Sequence, residues 1–330
     1  MGVELVQTCA HFTTMPIPIA LLTANLGTQH GHQSESLHSL LALDRLLNVD
    51  ESKSTSRKVL ATDLLSRLLN TCVRMTVRPL LKSSNSGLIV FAMQEAPTSE
   101  KFNFLSVWKQ RNWVCHVVRN AGTVIMAAID PAQCTQLVPS DFVHKKENAM
   151  GPTLASRCAA LALHDRQDSV ATRSSDTSVR CIIVSYHGPR SMKPQARASH
   201  LTDLLDWMAK TADCHKVPVW VMGDFNVAFT KCQQIVQSWP CPDSFTVTLP
   251  TYLPSRRAVA DEDTPHQAVI DFAICMQPSQ PTLICRQEAH RCFDIADAAR
   301  NVTQGMAGVL HRNYFDHDAV LWTSSLTIAQ

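Results

Sequence analysis

The chain has 330 residues, 45% of them hydrophobic and 18% charged, enough apolar surface for a sizeable core and too much for a globally disordered chain. A formal charge of +2 excludes the strongly basic balance by which many nucleic-acid binders declare themselves, although a local basic rim is compatible with it. Twelve cysteines are scattered singly with no Cys-x-x-Cys, a pattern of free thiols in a reducing compartment rather than a disulfide framework.

No linker divides the chain, so it reads as one domain over 1–330, with residues 1–15 a poorly ordered N-terminal extension. Met1-Gly2-Val3-Glu4 lacks a basic leader, and the apolar run near Ile17 is short and flanked and interrupted by Pro16 and Pro18. No window is long and apolar enough for a transmembrane helix. The expectation is a soluble intracellular protein, cytoplasmic or nuclear.

In chain order, Ile17 to Thr23 is a β-rich run that stops at Asn25. Leucines from Leu37 to Leu47 and the stripe Val59 to Leu69 predict two helices, the second over about 57–70. Leu88 to Met93 is a continuous apolar strand ending in Gln94-Glu95, and Thr98 is placed to cap a helix running to Trp108. Trp113 to Val118 and Thr123 to Ile129 flank Asn120-Ala121-Gly122, a hairpin pattern. Cys158 to Leu163 is a strand, and 164–178 a surface loop.

Val179 to Tyr186 is a strand that ends at His187-Gly188-Pro189. The helical pattern from Gln195 to Thr211 then leads to Val217-Pro218-Val219-Trp220-Val221-Met222-Gly223-Asp224-Phe225-Asn226, which completes a βαβ-like unit. If extension persists past Gly223, Asp224 and Asn226 share a side; an Asx turn is the competing reading of the same residues. A helix is predicted to about Gln237 and a strand near Phe245. Another strand is predicted over Ala268 to Met276 with Asp271 inside it, then one over Leu283 to Glu288 and one from Ala319 to Leu326.

Asn25, Glu95, His187, Asp224 and Asn226 stand at strand ends, whereas Asp271, Asp316 and His317 stand at or near strand starts. In a mixed sheet, ends and starts converge on one edge, so these residues could supply carboxylates, carboxamides and imidazoles to one cleft. Oxygen donors of this kind favour a hard cation, Mg²⁺ or Mn²⁺, over zinc. Such a cation suits phosphodiester chemistry.

Leu22-Thr23-Ala24-Asn25-Leu26, Met93-Gln94-Glu95, Val184-Ser185-Tyr186-His187-Gly188, Gly223-Asp224-Phe225-Asn226, Ile270-Asp271-Phe272 and Phe315-Asp316-His317-Asp318-Ala319-Val320 together resemble, in order, the motifs of the endonuclease/exonuclease/phosphatase superfamily. The resemblance spans nearly the whole chain. It implies an α/β fold, a four-layered sandwich of two mixed β-sheets packed face to face with helices on the outside. It also implies a metal-dependent phosphodiester hydrolase, with nucleic acid the leading substrate and a small phosphoester or phospholipid headgroup the alternative; a non-catalytic binding module is a further alternative.

By the same resemblance, Glu95 is the principal Mg²⁺ ligand, with Asn25 and Asp316 beside it. Asp224 handles the attacking water, Asn226 bonds the scissile phosphate, and His317, buttressed by Asp271, contacts the phosphate or acts as base. His187 stabilises the phosphate or protonates the leaving group. Phe315 stands where many relatives carry Ser, and Ile270 where abasic-site enzymes carry a basic or polar residue; neither change removes a catalytic functional group.

Other polar features have plainer readings. His30 and His32 sit in a polar loop, and Cys232, Cys241 and His215 are too irregularly spaced for a zinc site. Lys145, Lys146, Arg190, Lys193, Arg197, Arg256 and Arg257 read as loop charges or a phosphate rim. An interior Asp271 calls for a polar partner, because burying a lone carboxylate is costly.

Overall fold

The apolar runs separated by turn signals become twelve strands and four helices in the computed structural model, which describes residues 17–26, 87–96, 106–109, 112–134, 137–142, 149–166, 179–190, 192–240, 245–248, 270–278, 283–293 and 319–328. In order these are β1 (Ile17–Asn25), β2 (Leu88–Gln94), α1 (Ser106–Lys109), β3 (Val114–Asn120), β4 (Thr123–Ile129) and β5 (Leu137–Asp141). There follow α2 (Pro152–Ala155), β6 (Cys158–Asp165), β7 (Val179–His187), α3 (Pro194–His215), β8 (Val219–Asp224) and α4 (Phe229–Ser238). The last are β9 (Phe245–Thr248), β10 (Asp271–Pro278), β11 (Leu283–Phe293) and β12 (Ala319–Ile328).

They form two six-stranded mixed sheets, β11-β12-β1-β2-β4-β3 and β5-β6-β7-β8-β10-β9. Each sheet holds one parallel pair at its centre, β1 with β2 and β7 with β8, and every other pairing is antiparallel. Parallel neighbours end on the same side, so Asn25 finishes beside Gln94, and His187 beside Asp224. The antiparallel strands begin there: Asp271 pairs with Asp224, and Val320 with Thr23.

Strand alternation explains the layers. Leu21, Val90, Ile125, Ile183, Trp220 and Met222 face inward between the two sheets and form one core. Their neighbours Ile182, Val184, Val219 and Val221 face outward and pack under Leu201, Leu204, Leu205 and Met208 of α3 and Phe229 and Ile235 of α4. Fully burying each such side chain contributes about 1.5–3 kcal/mol, which is why α3 lies on the sheet despite its polar exposed face. On the outer face of the first sheet, Trp108 of α1 packs against Phe91 with ring centroids 6.3 Å apart.

The predicted strands and the βαβ unit β7-α3-β8 are present. The strand β5 and the short helix α2 were not predicted; β5 carries Pro139, which removes a ladder donor, and it lies at a sheet edge where that is tolerated. Asp271 is the first residue of β10 rather than interior to it. Residues 1–16, the predicted helices at 37–47 and 57–70, and the loops carrying His30, His32, Lys145, Lys146, Arg256 and Arg257 lie outside the described residues. The seven described cysteines with placed side chains are free thiols. No described helix is long and apolar enough to cross a membrane.

Candidate active site

The ends of the two central parallel pairs meet at one edge of the sandwich, and the candidate side chains sit there for local reasons. Alternation points Thr23 and Asn25 inward from β1, Gln94 inward from β2, Ser185 inward from β7 and Asp224 inward from β8. Glu95 follows Gln94, so extended chain would turn it outward; its φ of 50° breaks the strand and swings it to the inner side. A left-handed conformation in a non-glycine residue costs roughly 1–2 kcal/mol and persists only where surroundings hold it. Here Leu26 N–H bonds Gln94 O at 2.9 Å and Ala96 N–H bonds Gly122 O at 2.8 Å, pinning the turn on both sides.

Glycine makes the matching turns in the second sheet. A Cβ on Gly223, whose φ is 153°, would lie 2.0 Å from Tyr186 O, and one on Gly188 would lie 2.0 Å from Phe225 O. The backbones of the β7 and β8 ends therefore touch, with Gly188 N–H bonding Asp224 O at 2.6 Å.

Between these ends Asn25 Nδ2 donates to Asp224 Oδ2 at 2.9 Å and reaches Glu95 Oε1 at 3.5 Å. His187 Nε2 lies 3.5 Å from Glu95 Oε1 and 4.0 Å from Asp224 Oδ2, beside both carboxylates without closing on either. Asn25, Glu95, Asp224 and Asp271 are all buried, while His187 and Asn226 are partly open. Asp224 Oδ1 accepts the Asn226 N–H at 2.8 Å, so the Asx turn exists alongside the functional contacts. The extended geometry that would have put Asp224 and Asn226 on one side does not persist: Asn226 takes φ 51° and its Nδ2 bonds Gly188 O at 3.0 Å.

Asn25, Glu95, His187, Asp224, Asn226 and Asp271 are thus gathered at one edge; Asp316 and His317 lie outside the described residues, just before β12. Among the described residues no group of three or more His, Cys, Asp or Glu side chains forms a ready-made metal cage. Two buried carboxylates joined through one carboxamide nevertheless fit a hard cation, since Mg²⁺ commonly takes one or two carboxylates and completes its shell with water and substrate phosphate.

An endonuclease/exonuclease/phosphatase family protein from Bacteroides thetaiotaomicron has a similar fold, 11% identical over 94% of this chain and 98% of its own, with a TM-score of 0.48. The human nocturnin catalytic domain, with a bound sulfate anion, is 12% identical over 94% of each chain, with a TM-score of 0.46. D. rerio TDP2, complexed with a single-strand DNA product, is 9% identical over 93% of this chain and 98% of its own, also at 0.46. No family model and no curated protein matches the sequence.

Beneath this edge runs a polar bridge whose role the sequence reading passed over. Thr23 Oγ1 donates to Gln94 Oε1 at 3.1 Å, Gln94 Nε2 donates to Ser185 Oγ at 2.9 Å, and Ser185 Oγ donates to Met93 O at 3.2 Å. All three side chains are buried, and the bridge ties the parallel pair of one sheet to that of the other. The signal was available: three polar residues on the inward parity of otherwise apolar strands. Arg157 was also passed over; its Nη1 donates to His187 O at 3.2 Å while its own carbonyl accepts the His187 N–H at 3.0 Å.

On the helix side of β7, Tyr186 and His200 pair through Tyr186 OH and His200 Nδ1 at 2.9 Å. Burial lowers the His200 pKa from its usual 6.5, helped by the Arg157 charge, and burial raises that of the Tyr186 phenol far above its ordinary value. Both groups are therefore neutral near pH 7.

Proposed function

We propose that this chain is a divalent-metal-dependent phosphodiester hydrolase, acting on nucleic acid as an endonuclease. The observation that carries the reading is the cluster Asn25, Glu95, His187 and Asp224, drawn from both sheets to one edge with Asn226 beside it. Nucleic acid as the substrate class rests on the motif resemblance.

In this reading Glu95, with Asn25 and Asp316, holds Mg²⁺, or Mn²⁺ in its place. When bound, the cation neutralises phosphodiester charge and stabilises the leaving oxyanion. Asp224 is fixed at Oδ1 by the Asn226 N–H and at Oδ2 by Asn25, so it orients the attacking water and takes its proton from a set position. Asn226 spends one Nδ2 hydrogen on Gly188 O and keeps the second for a phosphate oxygen. His187, partly open to solvent, donates to the phosphate or protonates the leaving oxygen. The motif resemblance gives Asp271 the role of fixing the tautomer of His317.

The test is a substrate panel of supercoiled plasmid, abasic duplex, poly(A), sphingomyelin and inositol phosphates, each with Mg²⁺, Mn²⁺ and EDTA. Metal-dependent cleavage of a nucleic acid is expected. Turnover confined to sphingomyelin or inositol phosphates would move the reading to small phosphoesters. Binding without turnover on every substrate would leave a non-catalytic module.

A further inference from the structure

Arg197 reads in the sequence as a solvated charge or part of a phosphate rim at the start of the predicted helical segment; it occupies the first turn of α3 and is half-buried. Its Nη1 donates to the main-chain carbonyl of Asn226 at 2.8 Å, and its Nε is sealed from solvent. The guanidinium is therefore turned toward the chain. Asn226 is held at three points: its N–H on Asp224 Oδ1, its Nδ2 on Gly188 O, and its carbonyl under Arg197. Its φ of 51° is a conformation that surroundings must maintain. Of the three contacts, only that of Arg197 is charge-assisted from the donor side, and only it comes from outside the two strand-end turns. It is anchored on a 22-residue helix whose apolar side is buried against β7, β8 and β10.

We propose that Arg197 is a positioning residue that sets the Asn226 carboxamide for a phosphate oxygen, acting through the Asn226 carbonyl and not by touching substrate. The proposal rests on the phosphodiester-hydrolase reading. Arg157 treats the neighbouring turn alike, gripping His187 by its carbonyl, so both partly open residues are held through their backbones by an arginine. A lysine at position 197 keeps the charge but lacks the planar fork, so charge and geometry separate in one substitution.

The experiment is a double-mutant cycle on the substrate found by the panel, with Mg²⁺, using R197Q, R197K, N226A and the doubles R197Q/N226A and R197K/N226A. Circular dichroism checks that each variant is folded. R197Q is expected to lower kcat about 10- to 100-fold, as a small displacement of a positioned group does, with KM little changed. R197K should recover only part of that loss, and neither substitution should lower kcat further once Asn226 is alanine. If R197Q fails to fold, the R197K arm carries the same cycle. Additive losses in an active enzyme would overturn the role of Arg197 alone, as would a KM rise that R197K fully reverses and that varies with salt, the mark of a direct phosphate contact. A wild-type protein inactive on every phosphoester would overturn the hydrolase reading and this role with it.

Discussion

Asn25 donates to Asp224 across 2.9 Å, although 199 residues separate them and they close β1 in one sheet and β8 in the other. The contact joins the two halves of the sandwich at the level of the site, next to Glu95 and His187. Asn25→Asp would set a third carboxylate against the two already there. Without metal the variant should lose about 1–3 kcal/mol of stability, because a donor becomes a like charge at hydrogen-bond distance. Saturating Mg²⁺ should restore more stability to the variant than to the parent. Thermal unfolding with and without Mg²⁺ reads both; equal Mg²⁺ shifts would contradict the assignment of a cation to this edge.

Gln94 spans the buried bridge between Thr23 and Ser185. Gln94→Leu keeps the approximate volume but leaves the Thr23 hydroxyl without its acceptor, costing about 1–3 kcal/mol, and the Ser185 oxygen without its donor, which costs less because Ser185 Oγ still donates to Met93 O. Urea denaturation should show a loss of about 2–4 kcal/mol on this basis. Combining Gln94→Leu with Thr23→Val and Ser185→Ala should recover part of it, since removing all polar members of a network is less costly than removing one.

Gly223→Ala should be among the most damaging small substitutions in the chain. Its Cβ would meet Tyr186 O at 2.0 Å and Gln94 Nε2 at 2.8 Å, at a φ that favours glycine. A loss of roughly 3 kcal/mol or more is expected from backbone clash and strain together. Gly151→Ala is the control, since nothing lies within 4 Å of an added Cβ there. Melting temperatures of the two variants should differ clearly.

His200 gives the stability a pH dependence. Its folded pKa lies below the usual 6.5, so the unfolded chain binds the proton more readily. Its contribution is therefore full above pH 6.5 and is lost as pH falls from there through the folded value, with a slope of at most about 1.4 kcal/mol per pH unit. His200→Gln, whose carboxamide can accept from or donate to Tyr186 OH, should flatten the stability profile between pH 7.5 and 5.5. The parent's denaturant midpoint should fall relative to the variant's as pH drops across that range.

Much of the site was legible because strand ends are marked by where apolar runs stop. Asn25, Glu95, His187 and Asp224 were each found that way, and the structure brings them together. The local geometry was less legible. Asn226 was expected to share a side with Asp224, but contacts from Gly188 and Arg197, both distant in sequence, hold it in a left-handed turn. Glu95 similarly leaves the strand alternation because of a turn pinned by Gly122. Arg157 and Arg197 bond backbone carbonyls, which carry no residue identity, so no sequence pattern announces them. The inward parity of Thr23, Gln94 and Ser185, by contrast, was readable from the strands themselves.

The central claim is that Glu95 and Asp224 belong to one metal-assisted hydrolytic site. Plasmid nicking by the parent, Glu95→Gln and Asp224→Asn, with Mg²⁺ and with EDTA, tests it most directly. The parent should nick only with the metal, and each variant should lose on the order of 10²–10⁴-fold in rate while keeping the parent's circular dichroism. Nicking at the parent rate by either folded variant, or nicking that persists in EDTA, would contradict the claim.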